Sequence, residues 1–254
     1  MENMLQLGSV EILGNVDQLE LSVFEDCKSL KYIKLPTKLT KIGSAAFEGC
    51  EDLTDITIPK SVREIGEAAF RRCKSLTSIT IPDGVTEIKD WAFGYCKSLT
   101  SVTIPDSVRE IGFEAFYYCD GLTNIAIPDS VTYIERAAFE GCRRLTDITI
   151  PSNVTKIGNC AFKNCKGLTS VTILDGVTSI GTAAFEECSG LSSIRIPDSV
   201  TKIGDFVFFG CRGLTNVTIP DSVTEIGPHA FEDCTRLTGV TIPEGVRSIG
   251  DQAF

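Results

Sequence analysis

A chain of 254 residues, 43% of them hydrophobic, has ample material for a core, and its formal charge of −10 argues against the basic stripe that phosphate backbones require. No stretch approaches the roughly 18 consecutive apolar residues of a membrane span. The opening MENMLQLGSVEILGNV lacks the basic segment and apolar run of an export signal, so the chain as written reads as soluble, and as intracellular if complete.

The first element is a degenerate version of a unit that recurs along the whole chain. Leu7, Val10, Ile12, Val16, Leu19, Phe24 and Cys27 set an apolar frame, with Leu13 where later copies carry proline. Leucines then recur with a step of 23 residues from Leu30 to Leu237, phenylalanines from Phe24 through Phe47, Phe70 and Phe93 to Phe254, and cysteines from Cys27 to Cys234. Only Cys160 stands outside the cysteine series. Fixed periods of 20 to 50 residues are the signature of stacked solenoids. Residues 1–254 therefore read as one repeat-solenoid domain, a degenerate copy from residue 7 leading and an incomplete copy from residue 237 closing it.

Within the copy Leu76–Ser98, LTSITIPDGVTEIKDWAFGYCKS, Ile79-Thr80-Ile81 alternates with period two and predicts a strand. Pro82 ends it and Asp83-Gly84 turn the chain. Val85 to Ile88 predicts a second short extended segment on another side of the coil. The glycine that often follows the isoleucine, as at Gly43, Gly66, Gly112 and Gly158, suggests positive φ, although Lys89 and Glu135 share the register. Alanine, phenylalanine and cysteine at spacings of one and three predict a short helical or 3₁₀ turn.

Eleven thiols in a chain with its own core read chiefly as buried hydrophobes, with disulfides between neighbouring coils or a metal as the alternatives. The last copy stops at Phe254, five residues short of a full unit, and reads as truncated or exposed.

The pattern L-x-x-I-x-I-P-x-x-V-x-x-I-G-x-x-A-F-x-x-C, carried from Leu7 to Phe254, resembles the 23-residue leucine-rich repeats of the BspA-like family, also found in treponemal surface proteins. The resemblance implies a right-handed curved solenoid with a parallel sheet on its concave side. It also implies a cell-surface or secreted, non-enzymatic adhesion or protein-binding role toward host, matrix or microbial surface proteins.

Candidate recognition residues are the exceptions to the repeat. On the main strand the outward positions are mostly Ser, Thr and Asn, read either as a strand-stabilising hydroxyl array or as a hydrogen-bonding floor. There Tyr32, Lys34, Asp55, Asp147 and Arg195 would set specificity. Between the fourth and sixth copies, variable positions carry Trp91, Tyr95, Phe113, Tyr117, Tyr118 and Tyr133. These read either as local packing or as a partner or self-association site, and Phe206 repeats the Trp91 register near Phe209. The acidic row Asp83, Asp106, Asp129, Asp175, Asp198, Asp221 and Glu244 reads as solvated turn residues, with a cation rail as the lesser reading. His229, the single histidine, has no second histidine for a triad or metal set. No cofactor is expected. The rival to a binding module is a passive spacer or self-associating stalk of a larger surface protein.

Overall fold

The computed structural model describes residues 6–254; the reading of the opening segment as no export signal falls partly on residues 1–5, outside the described part. Each repeat makes one coil, and each coil lays an extended segment beside its equivalent 23 residues on. The main-strand column comprises Ser9–Glu11, Tyr32–Lys34, Ser78–Thr80, Ser101–Thr103, Asp147–Ile150, Ser170–Ile173, Ser193–Arg195 and Asn216–Thr218. All its pairings are parallel and in repeat register, as in Ser78 with Ser101 and Asp147 with Ser170. The second extended segment forms its own column, most continuous from Glu87–Ile88 to Ser248–Ile249, where eight short strands pair.

The main strands alternate exposed and buried residues, which puts Ile79, Val102, Ile148 and Val171 inside and their neighbours outside. Proline then ends the strand by closing a turn: the Val85 amide donates to Pro82 O at 3.0 Å, and Val108 to Pro105 O at 3.1 Å. Hydroxyls tie coil to coil beside the strands. Thr100 Oγ1 donates to Thr77 O at 3.0 Å, Thr169 to Thr146 O at 3.0 Å and Thr215 to Ser192 O at 3.1 Å.

The expected helical or 3₁₀ turn is absent, and no helix of any kind occurs among the described residues. Its place is taken by consecutive tight turns. Ala46 N donates to Gly43 O, and Cys50 N to Phe47 O, with Ala45 (φ 53°) and Gly49 (φ 73°) at the third position of each turn. Left-handed residues recur at both registers along the chain, at Ala68, Trp91, Glu114, Ala137 and Cys160 in one and at Arg72, Tyr95, Tyr118 and Asn164 in the other. A helix cannot contain them, because every helical residue needs φ near −63°. Each costs on the order of 1–2 kcal/mol for a residue with a Cβ. The offset is hydrogen bonding along the stack: Ala45, Phe47 and Gly49 amides donate to Glu67, Ala69 and Arg71 carbonyls of the next coil, each at 2.8 Å.

Positive φ is also not found at Gly43, Gly66, Gly112 or Gly158. Those glycines answer to close approach instead. A Cβ on Gly43 would lie 2.6 Å from the Glu20 backbone, and one on Gly66 2.4 Å from Ser44 N.

The interior is built from columns of identical side chains. Phenylalanine rings stack without interruption from Phe24 to Phe254, with Phe116, Phe139 and Phe162 separated by 5.2 and 5.3 Å and tilted by 8° and 2°. The ten periodic cysteines are free, buried thiols. Each from Cys50 onward donates its S–H to the carbonyl of a phenylalanine in the preceding coil, as from Cys119 to Phe93 O at 3.1 Å and Cys142 to Phe116 O at 3.2 Å. The same Phe93 carbonyl accepts the Cys96 amide at 3.2 Å, so both its lone pairs are used. A side chain of this size with a weak donor fills the space and satisfies the carbonyl, which valine cannot do. Burial raises the thiols, to about 12 for Cys96 and Cys165, and leaves them protonated and unreactive.

Candidate partner-binding surfaces

Two faces of the coil carry the departures from the repeat. On the main-strand face, Tyr32, Lys34, Asp55, Asp147 and Arg195 are all exposed, Tyr32 to 53%. They fall into two groups. Tyr32 is bridged directly to Asp55 and shares a strand with Lys34, which is paired with Glu11. Asp147 and Arg195 lie in one four-stranded sheet with the Ser170–Ile173 strand between theirs. Asp147 accepts a bond from Thr146 Oγ1 at 2.9 Å. Between Asp55–Lys60 and Ser78–Asp83 the sheet is interrupted, leaving a cleft of 390 Å³ lined by Asp55, Thr57, Lys60, Ser78, Thr80 and Asp83.

The turn face carries the aromatics. Because Trp91, Tyr95 and Tyr118 occupy left-handed corners, their side chains leave the coil where the next coil's corner sits beside them. That strain recurs in every coil, so it marks architecture and not function. Trp91 packs edge-on against Phe113 at 5.6 Å and Tyr117 at 5.5 Å; Tyr117 meets Tyr95 at 5.3 Å and Tyr118 at 4.6 Å. Five of the six expected residues thus form one half-buried cluster. Tyr133 is not among them. It belongs to the short-strand column, paired with Glu110 and Lys156, on a different side of the coil.

The charged residues woven into this cluster escape sequence reasoning, since each occupies a variable position that elsewhere holds an ordinary surface residue. Arg71 places its guanidinium 4.4 Å from the Trp91 ring centroid and pairs with Glu48 at 3.2 Å. Arg136 and Arg143 sit 5.8 Å over Phe113 and 5.2 Å over Tyr118. Such cation–π contacts contribute about 0.5–1 kcal/mol each at exposed sites. Glu114 stands one coil beyond Trp91 in the same register. Burial, then the Glu140 charge, pushes its carboxyl up to about 7, against the opposing pull of Arg136 and Arg71. Burial also raises the Tyr117 hydroxyl to about 12.

Further along this face, Phe206 stacks on His229 at 4.5 Å and meets Phe209 edge-on at 5.8 Å. His229 Nδ1 lies 2.5 Å from Glu232 Oε2. The acidic row from Asp83 to Glu244 is exposed, and no group of three or more metal-ligating side chains occurs among the described residues. Cys160 is half-buried, and burial followed by the Glu140 charge raises its thiol.

Strand-and-turn coils of 23 residues stacked on a leucine, phenylalanine and cysteine core define a leucine-rich-repeat solenoid. The family model described as the BspA type leucine rich repeat region matches residues 1–121, 63–190 and 155–254, and the chain belongs to that family, a non-catalytic class of scaffold. Among solved structures, a leucine rich cell surface protein from Faecalibacterium prausnitzii A2-165 is similar at 35% identity over 92% of this chain and 78% of its own, with a TM-score of 0.57. The leucine rich repeat protein of T. pallidum is 35% identical over 63% of this chain and 77% of its own, TM-score 0.60. A leucine-rich repeat protein from Bacteroides ovatus is 29% identical over 95% and 80%, TM-score 0.53. No curated protein matches the chain. Membership and these likenesses support a general protein-binding or adhesion role without naming a partner.

Proposed function

We propose that this chain is a non-enzymatic adhesion module that holds a protein partner on the turn face, with Trp91, Tyr95, Phe113, Tyr117 and Tyr118 as anchors. The observation that carries the reading is the contiguity of those five rings on the turn face, a larger cluster than the Phe206, Phe209 and His229 group further along it. Aromatic and arginine side chains, present together here, are the types that dominate binding hot spots. The exposed main-strand residues Tyr32, Lys34, Asp55, Asp147 and Arg195 offer a second contact area on another side of the coil. Likeness to a cell surface protein favours a setting outside the cell and a partner among host, matrix or microbial surface proteins.

The test is capture from an extracellular-matrix extract by the wild-type chain and by Trp91→Ala/Tyr95→Ala/Tyr117→Ala. The variant should keep its thermal unfolding profile to within the loss of a half-buried cluster and lose at least tenfold in capture. Undiminished capture by a folded variant removes the turn face as the site.

A further inference from the structure

We infer that the cleft between residues 55–60 and 78–83 is a saccharide site: a neutral hexose, free or at the end of a glycan, rests against Tyr32 and exchanges hydrogen bonds with the cleft beside Asp55. The site lies on the main-strand face and does not depend on the turn-face reading above.

The cleft begins with a break in the ladder. In the following pair of coils the Ile81 amide donates to Thr103 O at 3.0 Å, and the corresponding bond from Ile58 to Thr80 O is not formed. The coils stay joined beside the gap, because Thr77 N donates to Thr54 O at 3.2 Å and the Phe70 and Phe93 rings remain stacked at 5.6 Å. The result is an opening of 390 Å³ on a fixed floor, within the size range of small-ligand sites. Main-chain groups that have lost a ladder partner are satisfied by whatever donor or acceptor enters.

The lining sets the class of ligand. Thr57, Ser78 and Thr80 present hydroxyls that both donate and accept, Asp55 and Asp83 accept, and Lys60 donates. A sugar hydroxyl also does both, so a polyol can answer every one of these groups. Two carboxylates against one ammonium disfavour an anionic ligand. Ile56 and Ile79, with Pro59 and Pro82, supply apolar lining for the C–H face of a pyranose ring.

Tyr32 adds an independent feature. It is bridged in parallel register to Asp55, so the two side chains leave neighbouring coils on the same face, and Tyr32 is 53% exposed. The face of an aromatic ring is negative, and the polarised C–H groups of a sugar pack on it while the hydroxyls turn to the cleft. The column is interrupted again at 124–127, where the neighbours in register with Asn124 are Ser101 and Asp147 and no ring stands beside it.

An array of immobilised neutral, sialylated and sulfated glycans, probed with the full chain, tests the site. Neutral hexose-terminated glycans should be retained above the acidic ones, and the matching free oligosaccharide should displace them. Tyr32→Ala and Asp55→Asn, at exposed positions, should each weaken retention by about tenfold while keeping a urea midpoint close to that of the wild type. Trp91→Ala/Tyr95→Ala/Tyr117→Ala should bind the array as the wild type does, whatever becomes of its capture of matrix protein. Loss of retention in that variant would move the saccharide to the turn face and overturn the cleft. Retention of no neutral glycan overturns it too, as does a preference for acidic glycans, binding that free sugar does not displace, or full retention by folded Tyr32→Ala and Asp55→Asn.

Discussion

Phe139→Ala removes a ring from the middle of the phenylalanine column. The side chain is fully buried and stacked on both sides, against Phe116 at 5.2 Å and Phe162 at 5.3 Å. Truncating a buried phenylalanine costs about 3–5 kcal/mol, with the upper half expected here because the coils on either side are pinned by hydrogen bonds and cannot collapse into the void. With a urea dependence of about 3 kcal/mol per M, the midpoint falls by roughly 1.3–1.7 M if the solenoid unfolds as a unit. Stability in a stacked array is a sum of nearest-neighbour terms, so a weak central coil also favours separate unfolding of the two halves and a broader transition. Phe254→Ala is the internal control, since that ring is 54% exposed and stacks on one ring, Phe231, where Phe139 stacks on two; it should cost less than about 2 kcal/mol. Urea unfolding followed by far-ultraviolet circular dichroism reads both. Equal losses for the two variants would refute the stacked-column reasoning.

Other consequences arise from single contacts. Cys119→Ala should cost about 1–2 kcal/mol in the same assay, because it deletes a buried sulfur and the thiol bond to Phe93 O. Gly176→Ala should cost about 1–3 kcal/mol, since φ is 135° there and a Cβ would stand 1.9 Å from Ser152 O. Glu114 binds its proton more tightly folded than unfolded, so its contribution to stability is complete below the ordinary carboxyl range and lost as pH rises through about 7. Urea midpoints should therefore fall more across that interval in the wild type than in Glu114→Gln, which keeps the raised Glu110 and Glu140 carboxyls. Sedimentation over a hundredfold concentration range should show a monomer; a concentration-dependent rise in size would favour the self-associating stalk.

The period exposed the interior directly, because a residue type copied at every 23rd position must meet the same surroundings in each coil. Leu76, Ile79, Val85, Phe93 and Cys96 are buried as their spacing required. The turn segment was illegible for a specific reason. Ala-Phe-x-x-Cys has the spacing of a helical turn, while the residues that bend it, Ala68, Trp91 or Glu114, are not the glycines that announce positive φ. Hydrogen bonds to the next coil impose that conformation, and no single repeat contains them. Conversely, Gly43 and Gly66 suggested a left-handed position but serve close backbone approach. The aromatic cluster was visible as a local break in the repeat, and Tyr133 was grouped with it only because sequence proximity hides which side of the coil a residue faces. Arg71 and Glu114 carried no signal at all, being ordinary charged residues in variable positions.

Mass-spectrometric mapping of thiol alkylation on the native chain tests most directly the claim that copied positions line the inside and exceptions lie outside. Cys160, the half-buried thiol outside the series, should be modified under native conditions, faster as pH rises because the thiolate is the reacting form. Cys27 through Cys234 of the periodic series should react only after denaturation. Native modification of Cys119 or Cys142 at a rate comparable to Cys160 would contradict the account.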